Sequence, residues 1–154
     1  MINIVLVNPE IPPNTGNIIR LCSNTGYSLH LIKPIGFDLN DRQLKRAGLD
    51  YHDTAKVKTY DNLEQFIKIV NPNRILATTS KVNKSYTTIK FKKNDAILFG
   101  SESTGLSQNT LNKIQKENIF NIPMKPNNRS LNLSNAVSII VYESWRQHNF
   151  EGSV

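Results

Sequence analysis

The sequence predicts an α/β fold, a mostly parallel sheet covered by helices on both faces. Two observations point there: six short β-like runs, and helical apolar periodicity between most of them. The β-like runs are "INIVLV" (2–7), "HLIKPI" (30–35), "KVKTY" (56–60), "RILATTS" (74–80), "AILFG" (96–100) and "IFNIPM" (119–124). Among the helices, Asn14 to Thr25 places Ile18, Leu21 and Cys22 at helical spacing and meets a C-terminal stop at Gly26. Asp41 to Gly48 is a short helix candidate. Asp61 is placed to cap "NLEQFIKIV", whose Leu63, Phe66, Ile67 and Val70 share a face ahead of Pro72. Ser107 to Lys116 carries Leu111 and Ile114, and a last helix runs from about Leu133 to His148. No repeat, low-complexity tract or linker interrupts the 154 residues, which fit one domain over 1–154 with one core.

Composition excludes several classes. With 38% hydrophobic and 20% charged residues the chain falls on the soluble globular side, and no apolar run approaches the roughly 20 residues that span a bilayer. The start "MINIVLVNPE" lacks a basic leader region and reads as a first strand, so a cytoplasmic location is expected. A single cysteine, Cys22, excludes an intrachain disulfide and a cysteine-based zinc site, and His30, His52 and His148 lack ligand spacing. The net charge of +7 suggests a polyanionic partner. One stretch, "KVNKSYTTIKFKK" (81–93), has five lysines, no acid, and Tyr86 and Phe91 interleaved. It reads equally as a surface that holds a nucleic-acid backbone and stacks bases, or as a solvated strand edge protected by lysine.

In open α/β sheets ligands bind beyond the carboxyl ends of the strands. That directs attention to the loops "NPEIPPNTGN", "TTSKVNKS", "GSESTGLS" and "KPNNRSLNLSN", all rich in small and polar residues. The loop at 100–107 has P-loop glycine spacing, but Leu106 stands where a phosphate-binding lysine is required. No GxGxxG follows the first strand and no GxSxG is present, which argues against a dinucleotide fold and a serine hydrolase. A Cys22 nucleophile is outweighed by a buried thiol, since the residue lies on an apolar helical face.

Three segments, "NPEIPPNTGNIIRLC", "LFGSESTGL" and "IPMKPNNRSLNLSNAVSIIVYESWRQ", resemble in order and spacing the three motifs of the SPOUT class of RNA 2′-O-methyltransferases. Within that class the chain is most similar to the TrmL (YibK) family of tRNA wobble-nucleotide methyltransferases, over nearly its whole length. The resemblance implies a C-terminal trefoil knot that binds S-adenosylmethionine, a feature against which general topology argues strongly. It also implies a homodimer whose active site is completed across the interface. The last helix agrees in one respect. Its Ala136, Val137, Ile139, Ile140, Val141, Tyr142 and Trp145 form too wide an apolar surface for a single face.

Carried over by position, the resemblance places cofactor contacts at Thr78, Gly100, Glu102, Ile122, Ser130 and Leu131. Gly100 would permit close approach of adenosine. Glu102 would accept from a ribose or amino group or lie near the sulfonium; the competing role is a cap for the helix that begins near Ser107. Arg20 matches the family's catalytic arginine. A guanidinium is a poor base, so its expected role is to hold substrate phosphate and stabilise oxyanion charge. Asn14, six residues earlier, would share the face of Arg20 or act only as an N-cap. Ser130 and Asn132 would orient cofactor or ribose, Asn135 would cap the last helix, and Lys125 and Arg129 would meet phosphate.

The resemblance implies in-line methyl transfer to a ribose 2′-oxygen, with positioning as a large contribution and no need of metal. The implied substrate is the wobble cytidine, or a modified wobble uridine (5-carboxymethylaminomethyluridine), in the anticodon loop of leucine tRNAs. The alternatives are a ribosomal or other RNA ribose methyltransferase, and a non-catalytic RNA-binding protein on the same scaffold.

Overall fold

The computed structural model describes residues 1–40, 42–46, 53 and 56–154. Among the described residues six strands form one sheet: β1 (Asn3–Val7), β2 (Ser28–Ile32), β3 (Lys58–Tyr60), β4 (Arg74–Thr78), β5 (Asp95–Phe99) and β6 (Ile119–Phe120). Their order is β3-β2-β1-β5-β4-β6, and every pairing is parallel. The helices with defined bounds among these residues are α1 (Pro12–Thr25), α2 (Arg42–Lys45), α3 (Leu63–Val70), α4 (Gln108–Asn112) and α5 (Leu133–Gln147), with 3-10 turns at Tyr86–Thr88 and Lys116–Asn118. All six expected strands are present, trimmed or shifted by a few residues. Of the helix candidate over 41–48, residues 42–45 are helical; Asp41, Gly48 and also His52 lie outside the described residues.

Alternation along the central strands divides the core in two. Ile4, Leu6, Ile97 and Phe99 face a layer with Ile18, Ile19 and Cys22 of α1 and Val137, Ile140 and Val141 of α5. Val5, Ala96 and Leu98 face the opposite layer, filled by Phe66 of α3 and by Leu111 and Ile114. Both faces of the sheet are covered, which is why these strands read as nearly continuous apolar runs. Cys22 is 4% exposed, and burial pushes its thiol pKa up to about 12, as the buried-thiol reading requires.

Two caps differ from expectation. α3 is capped by Asn62, whose side chain accepts from Gln65 N–H at 2.8 Å; Asp61 stands one residue outside and donates its own N–H to Gln65 Oε1. One position decides because only the N-cap side chain reaches the second and third amides of the helix. α4 is shorter than expected, Ser107 being its cap, and a 3-10 turn follows in place of a continued helix.

A polar network crosses the sheet under α3. Asn3 Nδ2 donates to Asn94 Oδ1 and to the Asp95 carbonyl, which leaves Asn3 Oδ1 as acceptor for His30 Nε2–H at 3.1 Å. His30 Nδ1 then accepts from the Tyr60 hydroxyl at 2.9 Å, and the edge of Phe66 closes the ring contact at 5.0 Å. The imidazole is therefore built in neutral. Burial, aided by Lys58, lowers its pKa from 6.5 to about 4. The unfolded chain binds more protons between those values, so stability should be complete above about pH 6.5 and fall as the pH drops towards 4, by on the order of 2–3 kcal/mol. Urea titrations from pH 7.5 to 4 should show this fall in the parent and a shallower one in His30→Gln; identical slopes would remove His30 as its source.

Candidate active site

Because the sheet is parallel, the loops after β1, β5, β4 and β6 leave from the same end, and because those strands are consecutive in the sheet the four loops stand side by side. Between them lies a cleft of about 400 Å³. Eight of the expected site residues line it: Asn14, Thr78, Gly100, Glu102, Ile122, Ser130, Leu131 and Asn132. Arg20 is not among the lining residues; it is exposed on α1.

The loop after β5 folds back on itself. A Cβ on Gly100 would stand 2.0 Å from the carbonyl carbon of Gly105 and 2.1 Å from the Leu106 nitrogen. Gly105 has φ +68°, and its N–H donates to the Ser101 carbonyl at 2.9 Å. The glycine at 100 therefore admits the protein's own returning backbone, where the sequence suggested room for adenosine. Leu106, disqualifying for a P-loop, is 3% exposed and forms an apolar part of the cleft that sequence reasoning missed; its only signal was the glycine-turn spacing around it.

Glu102 has a third role, outside the two expected. Its carboxylate accepts from Glu10 N–H at 2.8 Å, Ile11 N–H at 3.2 Å and Asn14 Nδ2 at 3.4 Å. The expected cap for the helix near Ser107 is overturned, since Ser107 caps that helix itself, accepting from Thr110 N–H at 3.1 Å. Glu102 serves α1 instead. That helix has Ile11 at its N-cap with no side-chain cap, and Pro12 and Pro13 leave it fewer N–H groups to satisfy. A carboxylate delivered from another loop supplies the acceptor and favourable charge at the positive end of the helix. Beside it, Glu10 accepts from the Ser103 hydroxyl, which holds its carboxyl below the usual range.

Asn14 is not the N-cap, which falls at Ile11, and it does not share a face with Arg20. Six residues advance a helix by about 240° beyond a full turn, so Asn14 is 5% exposed while Arg20 faces out. The Asn14 amide links two other loops: Nδ2 donates to Glu102, and Oδ1 accepts from Asn132 Nδ2 at 2.9 Å. Asn132, with Oδ1 accepting from the N–H groups of Ser134 (2.9 Å) and Asn135 (3.4 Å), is the cap of α5; Asn135 is a recipient of the cap rather than its provider. One asparagine thus starts the long apolar helix and holds the polar loop against α1.

The other expected residues vary. The Thr78 hydroxyl donates to the Leu98 carbonyl at 3.2 Å, so its side chain braces β4 on β5. Ile122 packs against the core at the cleft wall, and Leu131 is 39% exposed over it. Lys125, Arg129 and Ser130 are exposed in the loop before α5. The stacking reading of 81–93 does not survive: Phe91 is 5% exposed against Phe120 with ring centroids 5.9 Å apart, and Tyr86 packs on the same core. Lys84 donates to the Glu117 carbonyl and Lys93 pairs with Glu151 at 2.8 Å, leaving Lys81 as the lysine of this stretch that lines the cleft.

The cleft fits the cofactor that the resemblance implies. Its volume is within the range of small-ligand sites, about 300–1,000 Å³. Leu106, Ile122 and Leu131 offer apolar surface to a flat base, while the hydroxyls of Thr79, Ser80 and Ser130 offer polar contacts at the rim.

Residues 1–142 match the SpoU rRNA methylase family. A tRNA (cytidine(34)-2′-O)-methyltransferase of Aeromonas hydrophila is 53% identical over 154 residues, which is 100% of this chain and 99% of that protein. A structure solved for insight into 2-OH methylation of C/U34 on tRNA superposes with a TM-score of 0.87 at 38% identity, over 97% of both chains. An AdoMet-bound rRNA methyltransferase from Sinorhizobium meliloti superposes at 0.78 with 25% identity, covering 94% of this chain and 56% of that one.

Two substitutions test the architecture of the cleft. Gly100→Ala forces main chain off main chain and should cost about 2–4 kcal/mol, read as a lower urea midpoint. Asn132→Ala removes a helix cap, about 1 kcal/mol, and strips a buried amide oxygen of its donor, about 1–3 kcal/mol. A midpoint within error of the parent for Asn132→Ala would refute the double role of this residue.

Proposed function

The chain belongs to the SpoU rRNA methylase family, and from that premise we propose that it is an S-adenosylmethionine-dependent tRNA (cytidine(34)-2′-O)-methyltransferase. We extend the substrate to the modified wobble uridine, 5-carboxymethylaminomethyluridine, and to leucine tRNAs, and we treat residues 1–154 as one methyltransferase domain acting in the cytoplasm. No helix among the described residues is long and apolar enough to cross a membrane. The observation that carries the reading is identity above half with a tRNA methyltransferase over the full length of both chains, in a protein whose three motif loops meet in one cleft.

When bound, S-adenosylmethionine supplies the methyl group from its sulfonium. The chain's own residues do the rest. Ile122, Leu131 and Leu106 would flank the adenine, Thr78 and Gly100 shape the cleft floor through backbone placement, and Ser130 offers a hydroxyl at the rim. Glu102 acts chiefly by fixing α1 to the loop after β5, and its carboxylate stands beside the cleft as fixed negative charge. Asn14 and Asn132 hold the third loop in register with the first, so that ribose and cofactor meet in a defined geometry. Lys81, which lines the cleft, and Lys125 and Arg129, exposed in the loop before α5, would neutralise RNA phosphates.

Arg20 is assigned to the substrate phosphate and to charge developing on the 2′-oxygen. It stands outside the cleft of its own chain, which supports a homodimer in which each α1 presents Arg20 to the partner's cleft. The outer face of α5 supports the same arrangement. Tyr142 is 48% exposed and Phe150 39%, and both stack edge-on against Trp145, at 5.7 and 5.4 Å. A second copy covering this patch would bury it. The C-terminal trefoil knot is part of this proposal, supported by superposition on methyltransferases of the family over nearly the whole chain.

Purified protein with labelled S-adenosylmethionine and total tRNA should yield 2′-O-methyl groups at position 34, mapped by mass spectrometry; transfer confined to ribosomal RNA, or none, overturns the proposal. Arg20→Ala should lower kcat by about 100- to 1,000-fold with cofactor binding retained in calorimetry. A variant as fast as the parent would remove Arg20 from the site.

A further inference from the structure

Helix α1 carries two unlike rows of side chains. Asn14, Ile18 and Cys22 form a buried row towards the core and the cleft, whereas Pro13, Asn17 and Arg20, at i, i+4 and i+7, form an exposed row. α2 lies along this helix. Leu44, fully buried, anchors it, and that anchor turns Arg42, Gln43 and Lys45 outward, with Arg46 exposed just beyond. Residues 42–46 therefore present three cations and no acid. Between the two helices runs a groove of about 390 Å³ lined by Pro13, Asn17, Gln43 and Arg46.

This groove is separate from the cofactor cleft. Among the described residues the two meet at α1, where Pro13 of the groove precedes Asn14 of the cleft. Its chemistry is also different. Among the described residues the lining holds one guanidinium, two side-chain amides and a proline ring, and no carboxylate. A guanidinium grips a phosphate through paired N–H donors, amides donate to phosphate or ribose oxygens, and the exposed proline ring suits the flat side of a sugar. These groups position a strand without reading its sequence. The row also has a direction: it runs along α1 from the first helical turn to Arg20, so a backbone lying in the groove is led towards the arginine assigned to the reacting ribose.

We propose that the α1–α2 groove is a second RNA-contact surface, which seats the sugar–phosphate backbone of the nucleotide next to the one methylated, with Arg46 on the phosphate and Arg42 and Lys45 along the rim. The proposal rests on the tRNA reading above. Across the proposed dimer the partner's cleft takes the target nucleotide beside Arg20, and the groove along the same α1 takes its neighbour.

The test measures tRNA binding by the full-length protein as a function of salt. Each phosphate contact contributes about 0.7–0.9 to the slope of log K against log[salt]. Arg46→Ala should lower that slope by about one contact and weaken tRNA binding about three- to tenfold at 0.15 M salt, raising KM for tRNA with kcat within about twofold. S-adenosylmethionine binding should be unchanged. Lys68→Ala, on α3 against the opposite face of the sheet, should match the parent. A second measurement needs no variant: acetic anhydride should modify Lys45 several-fold more slowly when the parent is bound to tRNA, with Lys68 unprotected. An unchanged slope together with an unprotected Lys45 overturns the groove. A parent that binds no tRNA at any salt overturns the tRNA reading itself, an outcome distinct from normal parental binding with indifferent variants.

Discussion

The carboxylate of Glu102 is the interaction on which the rest of the site depends. It belongs to the loop after β5, yet its acceptors are filled by the amides that open α1 and by the Asn14 side chain. A helix starting with Pro12 and Pro13 behind Ile11 has no cap of its own. The loop that supplies one is thereby fixed against the helix, and charge at the helix's positive end makes the tie stronger than a neutral hydrogen bond would be. Asn14 passes the constraint on to Asn132, and Asn132 starts α5. Three segments distant in sequence thus share one short chain of polar contacts, with the cleft on its flank.

Much of this was legible in the sequence, for identifiable reasons. Strands and helices were readable because alternation and helical spacing report burial directly, most plainly in α3, where Leu63, Phe66, Ile67 and Val70 share a face. Eight of the cleft-lining residues were readable from motif position. Roles were less so. Gly100 was read as a place where adenosine approaches the backbone, and the space a side chain would take is filled by the chain itself, through a contact five residues on that spacing alone does not express. Glu102 offered a local partner at Ser107 and took a distant one. Phe91 looked like a stacking residue because basic neighbours flank it, and the sequence could not reveal that the segment before β5 buries it against Phe120.

The polar loop and apolar helix at the C-terminal end follow a simple division. Residues 123–132 are exposed, and from Leu133 onward one side of the helix is buried. The change of character falls at Asn132, where a single amide satisfies two free N–H groups of the helix start and the oxygen of Asn14. A loop anchored at such a point presents main chain and short side chains with little freedom, which suits recognition by placement more than by charge.

The aromatic cluster on the outer side of α5 has an optical consequence. Trp145 is the only tryptophan in the sequence, and it stands between Tyr142 and Phe150, with its indole N–H donated to the Glu151 carbonyl at 3.0 Å. Its emission therefore reports the polarity and solvent access of that one patch, without interference from a second indole. Any process that covers or uncovers the patch can be followed by intrinsic fluorescence in the unlabelled protein.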